Sequence, residues 1–225
     1  MLSYLQQYGL QLIEQTRVDY VIGIDEVGLG ACAGPLLVCG AVFEKSWRHP
    51  EVKDSKQFSG GGRIAHEKRI RVLEQHIKPA VRFQALELVT HGDIDKLGLE
   101  DAVQDATRRV AIRCTRYYRD QLVVVDGDHF PRLSRVKAVV AIPKGDALVP
   151  AVSAASIIAK TTRDAAMLLS AELYPGYGFE QHMGYGVPSH IEAIKRLGPC
   201  QIHRLSYKPV RDAATSWAAR QPMVP

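Results

Sequence analysis

The segment Asp19–Asp25, DYVIGID, is a short apolar run that ends in acid, and Glu26 follows with a second carboxylate. Its length and its Val and Ile content read as a buried strand rather than a helix. After a loop rich in Gly and Ala, Leu36–Phe43 (LLVCGAVF) reads as a second strand. The spacing predicts further strands at Ala80–Thr90, Gln121–Val125 and Val136–Ile142. It predicts helices over Met1–Gln15, Arg63–Lys78, Leu99–Arg119, Ala151–Leu173 and Val187–Leu197. Pro150 and Pro188 stand where the first turn of a helix tolerates a missing N–H, and Gly198 is a stop. Strands and helices interleave along the chain, so it is expected to be α/β, a mixed five-stranded sheet flanked by helices. No linker, repeat or low-complexity tract divides it. A single domain is expected over residues 1–225, with an N-terminal helical segment over 1–18 and a C-terminal tail over 211–225.

Three strand exits carry acids. Asp25 and Glu26 end the first strand, Asp126 ends the fourth, and Asp146 follows the fifth in the turn Lys144-Gly145-Asp146. Strand ends of one sheet lie side by side, so the spacing lets these acids converge. Crowded carboxylates repel unless protonated or bound to cations. An oxygen-rich cluster suits Mg²⁺ or Mn²⁺, and two such ions about 4 Å apart can activate water and stabilise a leaving phosphodiester oxygen. Taken one at a time, each acid also reads as an ordinary loop residue.

Composition narrows the partners. The longest apolar runs, Ala31–Phe43 and Ala151–Ala159, are broken by Gly, Pro, Ser or Cys and fall short of the ~20 residues that a membrane span needs. The N-terminus lacks the pattern of a signal peptide. Cys32, Cys39, Cys114 and Cys200 are scattered, with no C-x-x-C pair, so they read as buried, reduced thiols of a cytoplasmic protein rather than a zinc or redox site. Net charge is +5 and the pI about 9.0, a modest bias compatible with a polyanionic partner.

The motifs carry a more specific message. Gly23-Ile24-Asp25-Glu26-Val27-Gly28-Leu29-Gly30 and Ala33-Gly34-Pro35 are followed by Asp54-Ser55-Lys56 and Val125-Asp126-Gly127. Lys144-Gly145-Asp146 then leads into Ser153-Ala154-Ala155-Ser156-Ile157-Ile158-Ala159-Lys160. Tyr174-Pro175-Gly176-Tyr177-Gly178-Phe179, His182, Gly184-Tyr185-Gly186 and Ile202-His203-Arg204 complete the series. In this order, across about residues 19–210, the set resembles the ribonuclease HII family. The related ribonuclease HIII family usually carries an extra N-terminal domain, and only about eighteen residues precede the first strand here.

The resemblance implies an RNase H-like fold and a metal-dependent endoribonuclease. Its expected substrates are RNA–DNA hybrids and DNA duplexes containing ribonucleotides, cut 5′ of the ribonucleotide. It implies that Asp25, Glu26, Asp126 and Asp146 are the catalytic, metal-binding acids. It also implies that Gly28, Leu29, Gly30 and Tyr185 read the 2′-hydroxyl at an RNA–DNA junction, the group that separates RNA from DNA. Ser55 and Lys56 are further candidates for substrate binding. Ser153, Ser156 and Lys160 form one polar stripe with Asp164, placed either to meet the nucleic-acid backbone or to be a solvated face with a Lys160–Asp164 pair. A monomer is expected.

The chain departs from the family at three points. Leu29 stands between the glycines where Arg is usual, Met183 stands where Lys is usual two residues before Tyr185, and Gln57 replaces the second Lys of the D-S-K-K pattern. Three positive charges are therefore expected to be missing near the substrate, while Asp128 adds a negative one. Two other classes compete. One is a non-catalytic nucleic-acid-binding relative. The other is a nucleotide-binding protein using Gly28–Gly34 as a phosphate loop, which lacks the G-x-x-x-x-G-K-[ST] spacing.

Overall fold

A computed structural model describes residues 3–52, 58, 62–127 and 138–221. Ser55, Lys56, Gln57 and Asp128 lie outside the described residues, as does the start of the fifth expected strand.

Five strands, β1 (Tyr20–Val27), β2 (Leu36–Glu44), β3 (Phe83–Val89), β4 (Gln121–Asp126) and β5 (Val139–Ile142), form one sheet in the order β3-β2-β1-β4-β5. β1, β2 and β3 pair antiparallel, while β1, β4 and β5 pair parallel. This is the expected mixed sheet. β1 runs two residues beyond the expected end at Asp25, because its pairing with β2 continues to Val27 opposite Leu37. Its pairing with β4 stops at Ile24 opposite Val125. Asp25 and Glu26 therefore project past the last residue that β4 pairs with β1.

The helices are α1 (Tyr4–Gln15), α2 (Gly62–Val72), α3 (His91–Leu97), α4 (Leu99–Thr115), α5 (Gly145–Leu148), α6 (Pro150–Leu173), α7 (Phe179–His182), α8 (Pro188–Leu197) and α9 (Lys208–Ala218). α2 continues into a π-helical turn, Leu73–Ile77. One face of the sheet packs Ile22, Ile24, Val38, Val123 and Val125 against α4 through Ala106, Val110 and Cys114. The other packs Val21, Cys39, Ala41 and Val124 against α6 through Ala154, Ala155 and Ile158. With both faces covered, β1 and β4 read as continuous apolar runs.

Glycine sets how closely α6 approaches. A Cβ at Gly23 would fall 2.1 Å from the Ala151 carbonyl carbon and 2.3 Å from the Val152 nitrogen, so strand and helix touch backbone to backbone. A third apolar cluster joins Cys32, Ala33 and Met167 to Phe179, Ile194, Val210 and Ala213. It fastens α7, α8 and α9 beside the loop after β1. Residues 211–218 of the expected C-terminal tail are thus helical, within an α9 that buries Val210 and Ala213.

Candidate active site

Strand alternation puts Asp25 on the face that α6 covers. Ser156 of α6 hydrogen-bonds its carboxylate. Asp126 is the residue after Val125 on the adjacent parallel strand, and its Oδ1 accepts the Gly145 N–H at 2.6 Å. Asp25, Glu26 and Asp126 line one cavity of about 370 Å³ with Gly28, Leu29, Gly30, Ser156, Lys160 and Tyr185. Asp146, one residue after Gly145, is buried and does not line this cavity, although its charge acts on Asp25.

Burial raises the Asp25 pKa well above the usual carboxylate range, and the charges of Glu26, Asp126 and Asp146 push it further up. The Ser156 hydrogen bond opposes this in part. Unscreened repulsion of this kind among oxygen donors is relieved by a hard cation, so the donor set fits Mg²⁺ or Mn²⁺. Among the described residues, no three His, Cys, Asp or Glu side chains stand close enough together to hold one ion.

The α6 stripe divides. Ser156 and Lys160 reach the cavity. Ser153 turns inward instead: it is buried and donates to the carbonyls of Asp146 at 2.6 Å and Val149 at 3.2 Å. It therefore braces the Asp146 backbone rather than meeting nucleic acid, since its one hydroxyl proton is taken inside the fold. Lys160 donates to buried Asp164 at 2.6 Å, and the other Asp164 oxygen receives Arg69 of α2. Asp164 is thus structural, paired with Lys160 as expected and also with Arg69. Arg69 also lines the cavity, with Phe58, and sequence reasoning missed both. A helical arginine reads as surface charge until its pairing with a distant aspartate is seen.

A buried arginine braces the glycine loop and Tyr185 without lining the cavity itself. Arg163 has no exposed surface and donates Nε to Pro35 O at 2.8 Å, Nη1 to Met183 O at 2.9 Å and Nη2 to Ala33 O at 3.1 Å. It thereby ties the glycine loop to the segment holding Tyr185. Cys32 N–H and Ala33 N–H both donate to Gly184 O, at 2.8 and 3.1 Å, and reinforce that tie. The Arg163 and Lys160 cations also sit against the Tyr185 ring, at 5.3 and 5.4 Å from its centre. Gly28 has φ +99°, and a Cβ there would fall 2.5 Å from Arg163 Nε. Only glycine fits a position that is both left-handed and crowded.

Histidines support Tyr185 from behind. The Tyr185 carbonyl lies 2.8 Å from His190 Nδ1, so that nitrogen is the donor. His190 Nε2 then accepts from His203 Nε2 at 3.1 Å, and His203 Nδ1 accepts the Cys200 N–H at 2.9 Å. The bonds fix one tautomer for each neutral ring. Burial lowers the pKa of both histidines to about 4.

Of the three charge-losing departures, Leu29 does stand at the cavity. Met183 does not face it as expected: it is buried in the third apolar cluster, with φ +51°. Its carbonyl instead accepts Arg163 Nη1.

A five-stranded mixed sheet with carboxylates at adjacent strand ends, covered by helices on both faces, defines an RNase H-type nuclease fold. The crystal structure of ribonuclease H2 from Pyrococcus horikoshii is similar with a TM-score of 0.71 and 27% identity, covering 88% of this chain and 99% of that one. The RNase HII of Archaeoglobus fulgidus, solved in complex with PCNA, is similar with a TM-score of 0.67 and 27% identity, covering 84% and 95%. The family model of ribonuclease HII matches residues 22–210. Ribonuclease HII of Nitrosococcus oceani is 42% identical over 191 residues, covering 85% of this chain and 90% of that protein. Ribonuclease HII of Nitrosomonas europaea is 39% identical over 199 residues, covering 88% and 87%. The chain belongs to the ribonuclease HII family, and it is a ribonuclease H enzyme.

Proposed function

We propose that this enzyme hydrolyses the RNA strand of RNA–DNA hybrids and cuts 5′ of single ribonucleotides embedded in DNA. The observation that carries the reading is that one cavity is lined both by acids, Asp25, Glu26 and Asp126, and by the glycine loop Gly28, Leu29 and Gly30 with Tyr185. Asp25, Glu26, Asp126 and Asp146 are the acids proposed to hold Mg²⁺ or Mn²⁺. Bound there, two ions would supply an activated water and charge for the leaving oxygen.

The chain's own residues do the rest. Ser156 orients Asp25 through its hydrogen bond, and the Gly145 N–H fixes Asp126. Lys160 and Arg69 bring positive charge to the same wall, which favours a phosphate. Asp164 pairs with both cations and holds them in place, one on each of its oxygens. Tyr185 supplies a flat face for the sugar or base beside the glycine loop.

The test is cleavage of a DNA duplex holding one ribonucleotide, beside a uniform hybrid and an all-DNA control, with Mg²⁺ and Mn²⁺ compared. Cutting 5′ of the ribonucleotide, with a 5′-phosphate product, is expected. Cleavage of the hybrid alone would remove the junction-specific part of the reading. Binding without cleavage under either metal would favour a catalytically inactive relative.

A further inference from the structure

The carbonyl of Leu29 receives two hydrogen bonds from residues late in the chain. Arg204, buried completely, donates through Nη1 at 3.0 Å, and the Tyr207 hydroxyl donates to the same oxygen. Nη1 also donates to the Tyr207 hydroxyl oxygen at 3.0 Å, so the three groups close a ring. The guanidinium is itself anchored, with Nε and Nη2 both donating to Gly34 O, at 3.2 and 3.1 Å. Asp95 anchors the intervening turn, accepting the N–H groups of Leu205 at 2.9 Å and Ser206 at 3.0 Å.

A carbonyl oxygen has two lone pairs, and here both are engaged. The plane of the Leu29–Gly30 peptide is therefore fixed. In a trans peptide the N–H points opposite to the C=O. With the Leu29 oxygen turned toward Arg204 and Tyr207, the Gly30 N–H is turned away from them. Leu29 and Gly30 both line the cavity, and nothing stands within 4 Å of where a Gly30 Cβ would be. Among the described residues the Gly30 N–H meets no acceptor. A cation hydrogen-bonded to the carbonyl also polarises the peptide, which strengthens its N–H as a donor.

We infer that Arg204 and Tyr207 are positioning residues that hold the Gly30 N–H as a preorganised donor for the 2′-oxygen of the ribose. The inference rests on the ribonucleotide reading above and adds to it the groups that set the loop. Preorganisation matters because a free peptide plane would have to be ordered on binding.

Tyr207→Phe keeps the ring over Arg204 and removes only the hydroxyl. The full-length chain, wild type and Tyr207→Phe, is tested for affinity to two duplexes of one sequence. One holds a single ribonucleotide, the other is all DNA, and Ca²⁺ replaces Mg²⁺ so that binding is read without cleavage. The preference for the ribonucleotide duplex is expected to fall about threefold to tenfold, as for one lost hydrogen bond. Affinity for all-DNA and the Tm should stay near wild type. Arg204→Lys, where it folds, should lose more of the preference. A wild-type preference retained in full by Tyr207→Phe overturns the inference alone, and so does equal weakening toward both duplexes. A wild type that shows no preference overturns the ribonucleotide reading, and this inference with it.

Discussion

Acid should loosen the support behind Tyr185 before it reaches the rest of the fold. His190 and His203 are both buried, and their pKa values fall from the ordinary 6.5 to about 4 because burial disfavours the charged ring. The His190 charge also lowers the His203 pKa, and His182, stacked on His190 at 4.5 Å, lowers that of His190. A proton on His190 Nε2 would also displace the His203 N–H that points at it. Between about pH 4 and 6.5 these two rings hold fewer protons in the native protein than in the unfolded chain. Their contribution to stability therefore rises with pH across that window and is lost as pH falls through it. At about 1.4 kcal/mol per pKa unit, discounted for relaxation of the site, each ring costs about 1 to 2 kcal/mol at pH 5, and the pair about 3. That is a large share of the ~5–15 kcal/mol that stabilises a typical domain. The assay is urea unfolding at pH 7, 6 and 5. It compares wild type with a double variant, His190→Asn with His203→Gln, which keeps an N–H donor near each original bond. Wild type should lose about 3 kcal/mol more than the variant on going from pH 7 to 5. Equal losses in the two proteins would refute the reasoning, whatever the variant's stability at pH 7.

Three further outcomes follow from the cavity. Asp126→Asn should keep the fold, seen as an unchanged circular dichroism spectrum, and lower kcat at least about a hundredfold, because the amide loses the charge for a cation; near-wild-type cleavage would remove Asp126 from the catalytic set. Leu29→Arg adds a charge at the cavity's mouth and should lower KM while steepening the salt dependence of binding by about one unit of log–log slope; no change in either means that the position meets no phosphate. Gly28→Ala forces a left-handed backbone on alanine, at about 1–2 kcal/mol, and sets its methyl against Arg163 Nε; it should lower Tm and cut activity, and an unchanged Tm would contradict the packing described.

Much of this was legible in the sequence, for physical reasons that also mark its limits. β1, β2 and β4 are apolar runs bounded by charge or glycine, and α6 carries Ser153, Ser156, Lys160 and Asp164 at helical spacing, so their types follow from pattern. α3 was missed because only Ile94 is buried in it, although Thr90 and Asp93 form a capping box that signals its start. α9 is the helix that a reading of this end as tail overlooks, although Val210, Ala213, Ala214 and Trp217 stand at helical spacing and Pro209 suits the first turn. Ser153 and Ser156 look alike at a spacing of three. One turn of α6 separates them, and that turn is the difference between the Asp146 backbone and the cavity. Arg163 and Arg204 carry the least legible information. Nothing in a sequence announces that a guanidinium will be buried and will take only carbonyls and a hydroxyl.

The absent side chain at Gly23 has a consequence for how the enzyme tolerates change. Most helix-on-sheet spacings rest on interleaved side chains, so they drift when a Val becomes a Leu. Between β1 and α6 the spacer at this point is main chain against main chain, whose van der Waals radii no substitution alters. Asp25 lies two residues along β1 from that contact, and Ser156 little more than one helical turn along α6. The gap between carboxylate and hydroxyl is thereby gauged by covalent geometry, and the surrounding core is free to vary without recalibrating it.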